Sequence, residues 1–236
     1  MTPTASPAVR KAHLETARTL LSVEALALQV LRGSLPPTAG DPVALAYSTT
    51  AALVPVLLTI RQAARNKGLE RFLAEVEAGG ARISLPPLPP TDIADRLAAE
   101  RAARSYSDAL LRQAQEWMAE HDAAQSNPVI VADADRLEAI AATEVSNAFN
   151  EERTRAEYAI AEVGREETWF PFFVKVWDAT LDSRTCKLCS SLDGTKRAWG
   201  QNFAGGREPG RVHRRCRCYA TYHVIPIELS YRKRAA

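Results

Sequence analysis

The cysteines of this 236-residue chain are confined to one short segment, and their spacing is that of metal ligands. All four fall between positions 186 and 218, as Cys186-Lys-Leu-Cys189 and then Cys216-Arg-Cys218. A Cys-x-x-Cys turn directs two thiolates to one side, and a second pair can complete a tetrahedral zinc site. On a strand, Cys216 and Cys218 would face the same way because they are two residues apart. His213, three residues before Cys216, is a fifth candidate for the four positions.

Disulfides and unliganded or redox-active thiols are alternatives to zinc. The Cys-x-Cys pair is tighter than the commonest zinc spacing, which keeps these alternatives open. Residues 1–10 lead into a charged amphipathic helix and carry no apolar segment typical of a signal peptide. We therefore expect folding in a reducing cytosol, where disulfides are disfavoured. Structural Zn²⁺ is the favoured interpretation.

The cysteine segment is also the basic part of the chain. From Lys175 to Cys218 there are ten basic and four acidic residues, whereas the whole chain has a net charge of only +2. Such a surface can bind nucleic acid through its phosphates, without sequence specificity. The alternative is a solvated face, or pairing with acidic residues of the same module. The candidate nucleic-acid contacts are Arg184, Lys187, Arg211, Arg214, Arg215 and Arg217.

Most of the sequence before the cysteines predicts helix. Apolar residues recur at intervals of three and four, which is the period of a helix with one buried face. Four helices are predicted. The first ends at Gly33, and the second runs from about Pro42 to Glu77. The third runs from Thr91 or Asp92 to the break at Asn127-Pro128, and the fourth runs from about Asp133 to Gly164. The first is predicted to bury Leu14, Ala17, Leu21, Ala25, Leu28 and Leu31. The third is predicted to bury Ile93, Leu97, Tyr106, Leu110, Ala114 and Trp117, and the fourth Leu137, Ala141, Val145, Ala148, Phe149, Ala156, Ile160 and Val163.

The apolar run from Val43 to Ile60 is close to the length that spans a bilayer. It contains serine, threonine and proline, and strongly charged residues follow it. A core helix is therefore favoured over a membrane span.

After position 164 the sequence becomes aromatic and β-branched, and residues 219–227 alternate as in a strand. We predict a mainly α fold, with a long-helix body followed by a small, metal-pinned β-rich module (α+β). The predicted units are an N-terminal helical unit at 1–83, a proline-rich linker at 84–91, a long-helix region at 92–164, the zinc-binding β module at 165–228 and a basic tail at 229–236.

Several short motifs follow one another in a particular order. They are Thr143-Glu-Val-Ser-Asn-Ala-Phe-Asn150, Trp177-Asp178, Asp182-Ser-Arg-Thr-Cys-Lys-Leu-Cys189, Leu192-Asp-Gly194 and His213-Arg-Arg-Cys-Arg-Cys218. In this order the segment from about 135 to 225 resembles the phage Mu F-like head morphogenesis family. Members often have arginine where this chain has Ala142, and proline where it has Arg214.

The resemblance implies a non-enzymatic minor capsid protein of a tailed phage or prophage, which aids head assembly and DNA packaging or delivery. It implies a place inside the procapsid near the portal, hence in the virion interior, and in the bacterial host cytoplasm during assembly. The implied partners are the portal protein and the major capsid or scaffold protein. Packaged double-stranded DNA is a further candidate partner, and no membrane is expected.

Two other functions compete with this one. The first is a stand-alone, zinc-stabilised nucleic-acid-binding protein. The second is a metal-dependent nuclease or toxin-related enzyme, in which Asp178, Asp182 and Asp193 hold Mg²⁺ and His213 activates a water. Against it, Asp193-Gly194 is typical of a hairpin turn, and the chain lacks the common hydrolase and phosphate-binding motifs. We therefore expect no catalytic residues.

Overall fold

Four long helices and a small antiparallel sheet make up the part of the chain that the computed structural model describes, residues 6–35, 41–120, 133–166, 172–179 and 185–225. The helices are α1 (Pro7–Gly33), α2 (Pro42–Ala78), α3 (Asp92–Glu120) and α4 (Ala134–Glu166). They are followed by β1 (Phe172–Asp178), the short α5 (Lys187–Leu192), β2 (Lys196–Ala198) and β3 (Tyr219–Ile225). The predicted fold class, mainly α with a small β module, is confirmed.

Side-chain caps explain where the helices begin. Ser6 and Asp41 accept hydrogen bonds from the first turns of α1 and α2, and each of these helices has proline as its first residue. Asp133 caps α4 by accepting the N–H of Arg136 at 2.9 Å. Helix α2 ends before Gly80, whose φ of 89° favours glycine. The predicted break of α3 at Asn127-Pro128 lies outside the described residues.

In α1 the predicted core residue Leu31 is buried, and Ala17 and Leu28 pack partly buried against the core, but the rest of the predicted face is displaced by about one position. Leu14 and Leu21 are 52% and 38% exposed. The face that packs inward includes two polar residues, Thr16 and Glu24, which bond to groups elsewhere in the chain. A prediction based on apolar residues alone therefore placed the buried face of α1 away from the face that packs inward. The buried residues are Val9, Ala12, Thr16, Leu20, Glu24, Ala27 and Leu31.

The start of α3 shows the same error. Ile93 and Leu97 are 79% and 51% exposed, whereas Asp95 is buried. Farther along α3 the predicted core residues Tyr106, Leu110 and Ala114 are buried, and Trp117 is partly buried. In α4 the predicted core is confirmed for Leu137, Ala141, Val145, Ala148, Phe149, Ala156 and Ile160. The side chain of Val163 lies outside the description.

Helix α2 is the central element, since it packs against α1, α3, α4 and β3. Among the described residues it is the one helix whose length and hydropathy would suffice to cross a membrane. About one third of that apolar window, 33%, is buried within the protein. A core helix meets the same criterion, so the criterion does not separate the two interpretations.

The small sheet has the strand order β2-β1-β3, and both pairings are antiparallel. Its core contains Trp177 and Phe203, whose rings meet edge to face at 5.0 Å. Tyr219, the first residue of β3, instead belongs to the core of the helical bundle. The proline-rich segment has no regular structure, and its Leu85 packs on the core of the sheet. The division of the chain into the predicted units stays a prediction.

At Gly68 the backbone of α2 lies in close contact with the backbone of α4. A Cβ built at this position would lie 2.4 Å from the carbonyl oxygen of Phe149, which belongs to the α4 backbone. Backbone cannot move aside as a flexible side chain can. The packing of these two helices therefore requires glycine here.

We predict that Gly68→Ala destabilises the protein, although alanine usually stabilises a helix interior. The clash should cost more than the helix propensity gained, for a net loss of about 1–3 kcal/mol in the free energy of unfolding. Gly33→Ala is the matched control, since nothing lies within 4 Å of a Cβ there. Equilibrium urea unfolding of both variants provides the measurement. A Gly68→Ala variant as stable as Gly33→Ala would contradict the close approach.

Candidate metal centre

The candidate ligands lie on two tight turns that face each other. Cys186 caps α5, and its Sγ accepts the backbone N–H of Cys189 at 3.3 Å. In the second turn the N–H of Cys216 donates to the carbonyl oxygen of His213 at 3.2 Å. Arg215 within this turn has φ 61°, the left-handed conformation that a non-glycine residue seldom adopts. Each turn thus presents two donors that are three residues apart.

The donor atoms are close enough to share an ion. His213 Nε2 lies 3.1 Å from Cys186 Sγ and 3.0 Å from Cys189 Sγ. Cys189 Sγ lies 3.8 Å from Cys216 Sγ. With Zn–S bonds of about 2.3 Å, the edge of a tetrahedral site is about 3.8 Å, so the sulfur pair fits such an ion. The prediction of a Cys/His cluster that could bind a metal is confirmed.

The five donors form two overlapping groups. Cys189 belongs to both, and the donor atoms within each group lie within 4.8 Å of one another. The groups are Cys186, Cys189, His213 and Cys189, Cys216, Cys218. None of the four cysteines forms a disulfide in this structure. Cys216 and Cys218 precede β3, so strand alternation is not what brings them together.

Hydrogen bonds distribute the protons within the cluster. A hydrogen bond from the Cys218 thiol lowers the pKa of Cys216 to about 5, and the same bond raises the pKa of Cys218 far above its usual value. Burial raises the pKa of Cys189 to about 12. Burial lowers the pKa of His213, but the Arg214 carbonyl and the nearby sulfur atoms outweigh it and raise that pKa overall. The backbone N–H of Cys189 also lowers the pKa of Cys186. Thiolate character thus falls on Cys186 and Cys216 rather than on Cys189 and Cys218.

One face of α4 holds the second turn in place. The hydroxyl of Thr143 accepts the N–H of Arg215 at 3.1 Å, and the amide of Asn150 donates to the carbonyl oxygen of Cys218 at 2.9 Å. Between them, Ser146 is so close to Gly210 that a Cβ on this glycine would lie 2.9 Å from the Ser146 carbonyl oxygen. These α4 residues follow helical spacing and lie on one face. The helical motif and the cysteine motifs are therefore in direct contact.

Farther along the same face, a buried ion pair joins α4 to α2. Arg153 donates to Glu75 at 2.8 Å and also to the carbonyl oxygen of Ala220 in β3. Glu75, which is fully buried, also accepts the hydroxyl of Thr16 and the N–H of Tyr222. One carboxylate thus contacts α1, α4 and β3.

A second buried ionic cluster lies between α2, α3 and α4. Burial alone would raise the pKa of Asp95, but hydrogen bonds from Arg65 and Arg61 outweigh it and lower that pKa to about 2. Sequence reasoning missed this cluster. A signal existed, because Arg61 and Arg65 continue the row of Leu53 and Leu57 at intervals of four. The remaining carboxylates around the two arginines are Glu144, Glu151 and Glu152.

The prediction that Arg217 contacts nucleic acid does not agree with its position in the structure. Its residue is only 6% exposed, and its guanidinium donates to both carboxylate oxygens of Glu24 in α1. Glu138 lies 3.5 Å from the same guanidinium. A buried arginine between carboxylates is not available to phosphates. Arg217 instead connects the segment that carries Cys216 and Cys218 to α1.

The other predicted contacts differ in their surroundings. Arg211 pairs with Glu151, and the Arg215 guanidinium donates to the carbonyl oxygen of Asp135. Lys187 and Arg214 are exposed beside the cluster. Arg184 lies outside the described residues. Nucleic-acid binding by the exposed members stays a prediction.

The carboxylates of the nuclease alternative make structural contacts. Asp193 accepts the N–H of Ala179 at 2.8 Å. Burial raises the pKa of Asp178 to about 6, against the effect of a hydrogen bond with Tyr219. Asp182 lies outside the described residues. Among those that are described, the three-donor groups suited to one ion contain only cysteines and His213.

No family model matches the chain, and neither a curated protein nor a solved structure matches it. The resemblance to the phage family therefore rests on the order of the motifs.

We predict that Arg217→Ala lowers the free energy of unfolding by about 3–5 kcal/mol, because it leaves the Glu24 carboxylate buried without its partner. The double variant Arg217→Met with Glu24→Leu should recover most of this loss. Exposed Arg214→Ala is the control and should change stability by less than about 0.5 kcal/mol. Equilibrium unfolding of the wild type and the three variants provides the measurement. Equal stability of the Arg217 and Arg214 single variants would refute the structural role.

Proposed function

We propose that this chain is a zinc-stabilised, non-enzymatic minor head protein of a tailed phage or prophage. It acts inside the procapsid near the portal, where it aids head assembly and the packaging or delivery of DNA. The observation that carries the proposal is that the motifs behind the family resemblance, although far apart in the sequence, pack against one another.

Three contacts make this convergence specific. Asn150 of the helical motif bonds to Cys218 of the last motif. The N–H of Gly194 donates to the carbonyl oxygen of Trp177 at 2.8 Å. The Cys-x-x-Cys pair meets His213. Motifs that matched a family by chance would have no reason to share one neighbourhood, so the packing supports a common origin for them.

Zinc is the metal that the donor set favours. Thiolates together with an imidazole suit Zn²⁺, and tetrahedral sites closed by protein ligands are typical of structural zinc. When bound, the ion would crosslink the two turns. Since Arg217 lies between Cys216 and Cys218 and is held by α1, this crosslink would also steady the helical body.

We predict that protein purified without chelator contains zinc, and that EDTA lowers its melting temperature, since metal binding is coupled to folding. Cys186→Ser should lower the zinc content and the melting temperature together. Ser190→Ala, an exposed change next to Cys189, is the matched control and should behave as the wild type. Elemental analysis and thermal unfolding provide the two readouts. A wild type that contains no zinc and has the same melting temperature with and without EDTA would refute the metal centre.

The docking region is proposed to lie within residues 42–163. Large apolar side chains are exposed here, including Tyr47 at 76%, Ile93 at 79% and Leu97 at 51%. Exposed apolar residues on amphipathic helices are suited to bind a protein partner. The exposed Lys187 and Arg214 near the metal cluster would be available to packaged DNA.

We predict that the chain co-purifies with the portal protein encoded beside it, and that Ile93→Glu with Leu97→Glu reduces this capture at least tenfold. Arg104→Glu, an exposed change on the same helix, is the control and should leave capture intact. Deleting the gene should leave shells that assemble but package or deliver DNA poorly. Salt-sensitive retention on DNA with no capture by portal, shell or scaffold protein would instead favour the stand-alone nucleic-acid-binding protein. Cleavage of DNA with Mg²⁺, abolished by Asp178→Ala, would favour the nuclease.

A further inference from the structure

Helix α1 carries a second apolar stripe, apart from the face that packs inward. The members of this outer stripe recur at intervals of three and four residues, so they lie along one side of the helix. Leu14 and Leu21 are 52% and 38% exposed, Ala25 is exposed, and Leu28 is half-buried at the edge of the core. The outer stripe consists of Arg10, Leu14, Arg18, Leu21, Ala25, Leu28 and Arg32.

The contacts of the inward face keep this stripe at the surface. Thr16 and Glu24 lie on the inward face, and each bonds to a residue elsewhere in the chain. These buried polar contacts fix the rotation of α1 about its axis, so the helix cannot turn to bury Leu14 and Leu21. Single exposed leucines are common on protein surfaces. A row of them rimmed by charged residues is instead typical of an interaction surface.

The charges of the outer stripe are all positive. Its three arginines are exposed and lie at both ends and near the middle of the row. The acidic residues of α1 are Glu15 and Glu24. Glu15 pairs with Arg71 at 3.0 Å, and Glu24 is buried against Arg217. The outer stripe therefore combines apolar side chains with positive charge, and its complement is an apolar surface with negative charge.

A second copy of the chain does not provide that complement. In an antiparallel pair of α1 helices centred on Leu21, Leu14 would face Leu28. The same pairing would bring Arg10 against Arg32, and a parallel pair would bring each arginine against its own copy. Like charges at such positions repel. Self-association through this stripe is therefore disfavoured.

A membrane surface also fits the stripe less well than a helix does. Helices that lie in a membrane surface have a broad apolar face, on which tryptophan and phenylalanine are common. Helix α1 contains no tryptophan, phenylalanine or tyrosine, and Arg18 interrupts the row of leucines. A narrow row with a period of three to four residues is instead the pattern by which one helix packs on another.

We propose that the outer stripe of α1 binds an acidic amphipathic helix of a partner protein. Leu14, Leu21 and Leu28 would pack between apolar side chains of that helix, and the arginines would pair with carboxylates along its flanks. The stripe lies outside the docking region proposed within residues 42–163. The proposal therefore goes beyond the proposed function and does not depend on it.

The test is fluorescence anisotropy with a synthetic acidic helix peptide, in which leucines repeat at intervals of three and four residues and glutamates flank them. The full-length chain should bind this peptide, and added salt should weaken the binding because it screens the charges. Leu14→Gln with Leu21→Gln should weaken binding about tenfold or more, since it removes the apolar anchors. Arg18→Glu should also weaken binding. The same peptide with lysine in place of glutamate should not bind.

Leu26→Gln is the matched control for the leucine variant. Leu26 is 60% exposed on the same helix but lies outside the outer stripe, so its replacement should leave the affinity for the acidic peptide unchanged. Thermal unfolding of each variant verifies that it folds. Arg18 is exposed, so Arg18→Glu still tests the proposal should the double leucine variant be unstable.

Three results would overturn the proposal. The first is a wild type that fails to bind the acidic peptide, or that binds the lysine peptide equally well. The second is dimerisation in sedimentation experiments that Leu14→Gln with Leu21→Gln abolishes, without peptide binding, which would assign the stripe to a second copy. The third is binding to phosphatidylserine vesicles that the same variant loses, again without peptide binding, which would assign it to a membrane. Capture by the portal protein is a separate readout and decides only the proposed function.

Discussion

The relative position of the helices and the sheet depends on the buried carboxylate of Glu75. It receives hydrogen bonds from Thr16, Arg153 and the backbone of Tyr222, which come from α1, α4 and β3. Removing a carboxylate and a guanidinium from water is costly, and the three donors to Glu75 offset that cost for the carboxylate. The Arg153 guanidinium donates through Nη2 alone and lies over the rings of Phe149 and Tyr222, which supply a cation–π contact. An apolar contact tolerates sliding, whereas these hydrogen bonds are satisfied in one relative position. The helical body and the sheet are therefore held in a defined register.

The same face of α4 also positions the Cys/His cluster. Thr143 and Asn150 bond to the backbone of the second ligand turn, and Arg153 bonds to the strand that follows it. The turn itself is strained at Arg215, whose positive φ has an energetic cost. Contacts from α4 offset that cost before any ion binds. This explains why the donors already lie at distances suited to a metal.

The helices and the cysteine cluster could be predicted from the sequence, whereas the polar contacts between residues far apart in the chain could not. Capping residues, prolines and glycines identified the helix ends because they act within a few residues. The thiols identified the Cys/His cluster because all four cysteines fall within one short segment, although the contacts between the two turns join residues 24 to 27 positions apart. The buried faces of α1 and α3 were misjudged because Glu24 and Asp95 are core residues whose partners, Arg217 and Arg65, lie far away in the sequence. Periodicity of apolar residues carries no information about such pairs, so Arg217 was taken for a surface charge.

The outer edge of β3 has a consequence for behaviour at high concentration. An open strand edge is a template on which another chain can add a strand and begin to aggregate. Here the outward backbone groups of Cys218, Ala220 and Tyr222 are already bonded to side chains of the helices. The opposite edge of the sheet is β2, which is three residues long. The sheet thus offers little template for the addition of strands from other copies of the chain.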